Sequence, residues 1–177
     1  MIIVALIGLK KSGKTTTAEA LIREFGSRGY KVGAVKFMTL SKFTVDTEGK
    51  DTWRHMNAGA DFVVSLSDGE MAYIERRAEH AGLSDAMRHM PDDAEILICE
   101  GLNEEHPGVI RILLAREPGM VDVTLKTRGM EGPVAAYSGI MASKVKQLGG
   151  VPVFDCTDPV EASGLADLIL RLSENEA

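Results

Sequence analysis

Residues 8–15 read Gly-Leu-Lys-Lys-Ser-Gly-Lys-Thr and match the phosphate-binding pattern G-x-x-x-x-G-K-[ST] at every fixed position. The chemistry of such a run is the capture of a nucleoside triphosphate. Glycine at Gly8 and Gly13 lets the backbone turn sharply and aim its N–H groups at phosphate oxygens, which a Cβ would hold off. Lys11 and Ser12 complete that cradle, and Lys14 adds a point charge for the β- and γ-phosphates. Thr15 offers a hydroxyl to a magnesium ion, a hard cation that prefers oxygen ligands and keeps several waters. Thr15, Thr16 and Thr17 open a helix whose positive dipole end faces the phosphates.

Using a magnesium–triphosphate complex also needs a carboxylate near the metal at the end of a buried strand. Glu100 fits, because Ile96-Leu97-Ile98-Cys99 precede it directly and ligands of open α/β sheets bind at the carboxyl ends of strands. Asp46 and Asp51, in the polar connection after the second strand, are further candidates for the metal's surroundings; capping a helix is an equally good role for Asp51.

These residues need a scaffold, and the hydrophobic pattern supplies one. The unbroken apolar run at 1–7 reads as a central parallel strand, and Ala18, Leu21, Ile22 and Phe25 repeat at helical spacing behind the loop. A second apolar run at 31–37 closes a βαβ unit. A short helix is expected at 51–57, and strands at 61–66 and 70–74 flank Ser67-Asp68-Gly69, whose Asp-Gly step signals a hairpin. The pattern predicts a helix at 83–90, strands at 96–99, 109–114, 121–125, 134–137 and 151–154, and helices near 141–148 and 159–172. The implied fold is α/β, a three-layer P-loop NTPase sandwich whose sheet is mainly parallel with an antiparallel edge, and residues 1–177 are read as a single nucleotide-binding domain.

Composition narrows the function classes. A net charge of -6 with dispersed basic residues argues against nucleic acid or an anionic membrane as the main partner. No apolar run reaches the ~18 residues of a membrane span, and the first residues lack the pattern of a secretory signal, so a cytoplasmic location is expected. Cys99 and Cys156 lie in or beside apolar runs and read as buried free thiols. His55, His80, His89 and His106 show no ligand spacing.

With these residues placed, the chain resembles the molybdopterin-guanine dinucleotide biosynthesis protein B family. The likeness is carried by residues 8–17, by Val-Gly-Ala-Val-Lys at 32–36, by Asp46, Gly49-Lys50-Asp51, Arg54 and Ala58-Gly59-Ala60, by Ile-Leu-Ile-Cys-Glu-Gly at 96–101, and by 151–159. The resemblance implies a GTP-binding adaptor with magnesium, at most a slow GTPase, which forms a homodimer and cooperates with the molybdenum cofactor nucleotidyltransferase that joins GMP to molybdopterin. It gives Lys14, Thr15, Asp46, Asp51 and Glu100 their binding roles. Where the family usually has histidine after the second strand's lysine this chain has Phe37, and where it tends to have a basic residue after Glu-Gly and then Pro-Lys-Ile this chain has Leu102-Asn103 and Pro107-Gly108-Val109. GTP rests on the resemblance alone, since no Asn-Lys-x-Asp motif is present and Tyr137-Ser138-Gly139 stands where one is expected.

Other readings of the residues remain. A small-molecule kinase would need lid arginines, for which Arg76-Arg77 or Arg128-Gly129 are available; a metal-delivery GTPase would want a cysteine or histidine pair near the nucleotide, where only Cys99 is adjacent. The polar connection at 38–50, long and without period, reads as a nucleotide-responsive segment.

Overall fold

The computed structural model describes residues 1–38, 44–77 and 81–174. They divide into two compact units, one of Met1–Phe37 with Asp85–Ala177 and the other of Met38–Ser84.

The larger unit is built on β1 (Ile2–Gly8), α1 (Lys14–Ser27) and β2 (Val32–Lys36). β1 is buried along nearly its whole length because it is the middle strand of a five-stranded sheet. In the smaller unit, α2 (Asp51–Asn57) precedes the antiparallel pair β3 (Phe62–Leu66) and β4 (Met71–Glu75), in which Val64 faces Tyr73 and Leu66 faces Met71. The expected hairpin therefore forms, as a two-stranded sheet of its own. The expected cap on α2 is displaced by one residue: Lys50 is the N-cap, and Asp51 sits in the first turn, where its charge still suits the helix dipole.

The chain continues through α3 (Leu83–Met87), shorter than the predicted helix, into β5 (Ile96–Glu100) and β6 (Val109–Leu114). α4 (Val121–Arg128) follows, then β7 (Ala136–Ser138), the short antiparallel pair β8 (Gln147–Leu148) and β9 (Val151–Pro152), and α5 (Pro159–Glu174). The main sheet has the order β2-β5-β1-β6-β7, and all of its pairings are parallel.

Alternation along each strand assigns its side chains to two faces. Val4, Leu6, Ile96, Ile98, Ile110, Ile112 and Leu114 pack beneath Leu21 and Phe25 of α1 and Leu165 and Ile169 of α5. Leu113 points the other way, into a second cluster with Val121 of α4, Met141, Ala142 and Val153. Helices thus cover both faces, giving the three-layer sandwich.

Two expected elements are corrected. Residues 121–125 form a helix, not a strand. The alternation of Val121, Val123 and Leu125 is also compatible with a short helix, and local chemistry decides: Pro118 opens a 3₁₀ turn at Pro118–Met120, the Thr124 hydroxyl donates to Met120 O at 2.7 Å, and Gly129, at φ 62°, stops the helix. Residues 141–148 form a 3₁₀ turn at Ile140–Ser143 and then strand β8, because Gly149-Gly150 turns the chain back on β9.

Val123 is 53% exposed. Val123→Ala should leave stability unchanged or raise it by up to ~0.7 kcal/mol, since alanine is the better helix former, whereas a strand would lose up to ~1 kcal/mol. Urea unfolding of the two proteins reads the sign.

Candidate functional site

The loop between β1 and α1 holds its shape through unusual backbone angles and close packing. Lys11, at φ 59°, and Gly13, at φ 100°, both occupy the left-handed region, which turns successive N–H groups inward. Gly13 is the N-cap of α1, and no side chain hydrogen-bonds to it there, so the first-turn amides are left to a ligand. Gly8 is glycine for a steric reason: a Cβ there would lie 2.4 Å from Ser12 Oγ and 2.6 Å from Leu114 O.

Lys14 Nζ donates to Gly8 O at 3.1 Å and Leu9 O at 2.8 Å. Partial burial and the nearby Arg128 guanidinium lower its proton affinity, while Glu100 works in the opposite direction. Arg128, the last residue of α4, donates from Nη2 to the same Gly8 O at 2.6 Å. Thr15 and Glu100 meet: the threonine hydroxyl lies 3.1 Å from each oxygen of the carboxylate. Lys36, on β2, approaches Glu100 Oε1 at 3.6 Å. A hydroxyl, a carboxylate and two lysines therefore converge at the carboxyl end of the sheet.

The donor set beside the loop is all oxygen, which fits magnesium completed by phosphate oxygens and water. Among the described residues no group of three or more histidine, cysteine or acidic side chains could hold a metal unaided. Thr15 and Glu100 would supply its protein contacts. Asp46 and Asp51 lie in the smaller unit and engage local partners there. Asp46 Oδ1 accepts from the Thr52 hydroxyl at 2.7 Å and the Thr47 amide at 2.9 Å, and Asp51 pairs with Arg54 at 3.5 Å. Of the connection at 38–50, residues 39–43 lie outside the described part of the chain.

Behind the loop, Thr16 and Gly13 border an open pocket of about 260 Å³, lined also by Gly139, Asp155, Cys156 and Thr157. Asp155 Oδ1 accepts from the Thr157 hydroxyl at 2.6 Å and its amide at 3.1 Å. Those bonds hold the carboxyl below its ordinary pKa, so it is ionised at neutral pH. Ser138 Oγ, 3.3 Å from Thr17 Oγ1 and 2.8 Å from Phe154 O, ties α1 to the end of β7. Cys99 and Cys156 are free and buried, and burial pushes the Cys99 thiol up to about 12, which suits a packing role.

Sequence reasoning missed two residues that shape this site. Gly139 packs directly on the loop, with Ile140 N donating to Ser12 O at 3.3 Å. Arg128 enters the sequence reading only as a candidate lid arginine of a kinase. The sequence signal for the first was a glycine just after a short strand; for the second there was none beyond a basic residue ending a helix.

A parallel sheet whose central strand runs into this loop, with a carboxylate on the adjacent strand's end, defines a P-loop nucleotide-binding fold. The family model described as "Molybdopterin guanine dinucleotide synthesis protein B" matches residues 3–127, and the chain belongs to that family. It is 31% identical over 117 residues to the molybdopterin-guanine dinucleotide biosynthesis adapter protein of Haemophilus influenzae, covering 65% of this chain and 64% of that one. It is 30% identical over 105 residues to a putative adapter protein of the same name from Methanocaldococcus jannaschii, covering 59% of this chain and 42% of that one. The matched segment thus spans less than two thirds of either relative's length. The crystal structure of Bacillus subtilis MobB shares the fold, with a TM-score of 0.74 at 22% identity, over 95% of this chain and 98% of that one. Among the described residues no helix is long and apolar enough to cross a membrane.

At Gly139, φ is 87° and a Cβ would lie 2.1 Å from Ser12 O. Gly139→Ala should therefore cost about 3 kcal/mol or more and disturb the loop as well as the fold. Thermal unfolding checks it; a melting temperature equal to the parent's would mean that the contact is slack.

Proposed function

We propose that the protein is a GTP-binding adaptor of molybdopterin guanine dinucleotide biosynthesis, with both units forming one functional domain. The observation that carries this reading is membership of the family over a segment that holds the phosphate loop, Asp46, Asp51 and Glu100. The phosphates rest on Gly8, Lys11, Ser12, Gly13, Lys14, Thr15 and Thr16. Magnesium takes the Thr15 hydroxyl and the Glu100 carboxylate. The base lies in the pocket behind Gly13. Guanine presents N–H donors along one edge, and the ionised Asp155 carboxylate is an acceptor in that pocket, which favours GTP over ATP.

Hydrolysis, where it occurs, is slow, because the adaptor's work is to present its nucleotide-bound surface to the nucleotidyltransferase. A homodimer is supported by the hairpin. Phe62, Val64, Leu66, Met71 and Tyr73 lie on one face of it, each 42% exposed or more, and the Phe62 and Tyr73 rings stack at 5.6 Å. An apolar face of this kind is the usual mark of a protein contact.

Titration with GTP and magnesium tests the reading directly. At a hundredfold excess over the dissociation constant, GTP should add about 2.7 kcal/mol to the parent's stability, ATP markedly less, and Lys14→Ala should lose the melting shift while keeping its fold. Glu100→Gln should keep magnesium-free binding and lose the magnesium-dependent part. Equal GTP shifts in parent and Lys14→Ala would rule out the phosphate site. Leu66→Asp, at a position 73% exposed, should convert the dimer to a folded monomer in light scattering; an unchanged mass would remove the hairpin from the interface.

A further inference from the structure

The first glycine of the phosphate loop carries two cations on one carbonyl. Lys14 Nζ and Arg128 Nη2 both donate to Gly8 O, at 3.1 and 2.6 Å. Arg128 comes from a different element, the end of α4, and lies one residue beyond the segment matched to the family. Its remaining donors are poorly used. Nη1 makes one long contact, 3.4 Å to Asn103 Oδ1, and Nε is buried with no hydrogen-bond partner.

A guanidinium has five N–H donors and normally meets a carboxylate or phosphate. Arg28 does so with Glu24 and Asp167, and Arg111 with Glu105. Arg128 meets only neutral oxygens, and among the described residues no carboxylate pairs with it. Glu100, the carboxylate beside the loop, is already engaged by Thr15 and Lys36. Two like charges held at one neutral acceptor repel each other, and Arg128 indeed opposes protonation of Lys14. A polyanion entering between them would remove that repulsion and fill the unused donors.

Position along the loop says which phosphate. The pocket opens at the Gly13 and Thr16 end, whereas Arg128 stands at Gly8, the opposite end. A nucleotide seated in the pocket runs its phosphates across the loop away from the base, and the last of them comes nearest Gly8. We propose that Arg128 is a second phosphate-holding cation, which leaves Gly8 O when a nucleotide binds and grips the terminal phosphate of a triphosphate. The site thereby distinguishes triphosphate from diphosphate. This deepens the nucleotide-binding reading above and rests on it.

The test compares dissociation constants for GDP and for a GTP analogue with an imido bridge between its last two phosphates, both with magnesium, in the parent, Arg128→Gln and Arg128→Lys. Glutamine removes the charge and, two bonds shorter than arginine to its terminal nitrogen, gives up the Gly8 O contact as well, so a purely structural role would weaken both ligands alike. Arg128→Gln should weaken the triphosphate analogue by about tenfold or more and GDP by less than about twofold, the size expected for losing one charge-assisted contact. Arg128→Lys should recover part of the loss. Equal weakening for both ligands, or none for either, in a parent that binds both would overturn the role of Arg128 and leave the phosphate loop standing. A parent that binds neither ligand would overturn the nucleotide reading together with this inference. Melting curves of the unliganded proteins confirm that each variant is folded.

Discussion

The parallel register between β1 and β5 is the constraint on which the site depends. Leu6 pairs with Glu100, and on the other side of β5 Lys36 pairs with Glu100 as well. Glu100 has the same parity as Ile96 and Ile98, which lie in the core beneath α1. The register that buries those two isoleucines therefore also turns the carboxylate toward the first turn of α1, where Thr15 waits. A one-residue slip would send Glu100 to the opposite face, away from Thr15, and take both isoleucines from their packing beneath α1. The geometry of the site is thus enforced by apolar packing, and the polar residues need little stabilising energy of their own.

The polar residues also leave something unspent. Ser12 Oγ and Arg128 Nε are buried without partners, both against the loop. Buried polar atoms are costly when unpaired, and a native fold keeps very few. Their concentration at one loop, together with uncapped amides at the start of α1 and two cations on Gly8 O, gives a surface whose donors suit an anion. Preorganised donors of this kind bind strongly because their orientation is fixed during folding.

How much of this was legible in the sequence follows from the range of the interactions. The loop, α1, the hairpin and the pairing of Thr15 with Glu100 rest on local pattern plus one rule about strand ends, and the structure presents them in that arrangement. Residues 121–125 misled because five residues cannot separate a period of 2 from one of 3.6 when Pro118 and Gly129 lie outside the window. Gly139 and Arg128 were illegible for a different reason. Each meets the loop across more than a hundred residues of chain, through contacts to backbone oxygens, and a backbone oxygen leaves no trace in sequence.

Four residues at which the sequence resemblance breaks off separate once they are placed. Leu102 is 1% exposed and belongs to the interior, so it changes packing and not the surface offered to a partner. Phe37 is half-buried, and its amide donates to Glu100 O at 2.9 Å, continuing the β2–β5 ladder beyond Lys36. That bond needs only the backbone, so the strand end tolerates phenylalanine in place of another side chain. Asn103 and Gly108 are exposed, and they bracket the connection between β5 and β6. Asn103 is also the residue that receives Arg128 at 3.4 Å. Arg128 reaches this connection from the end of α4. The connection after β5 and the first glycine of the loop are thus joined through one side chain from α4, since Arg128 contacts both Asn103 Oδ1 and Gly8 O.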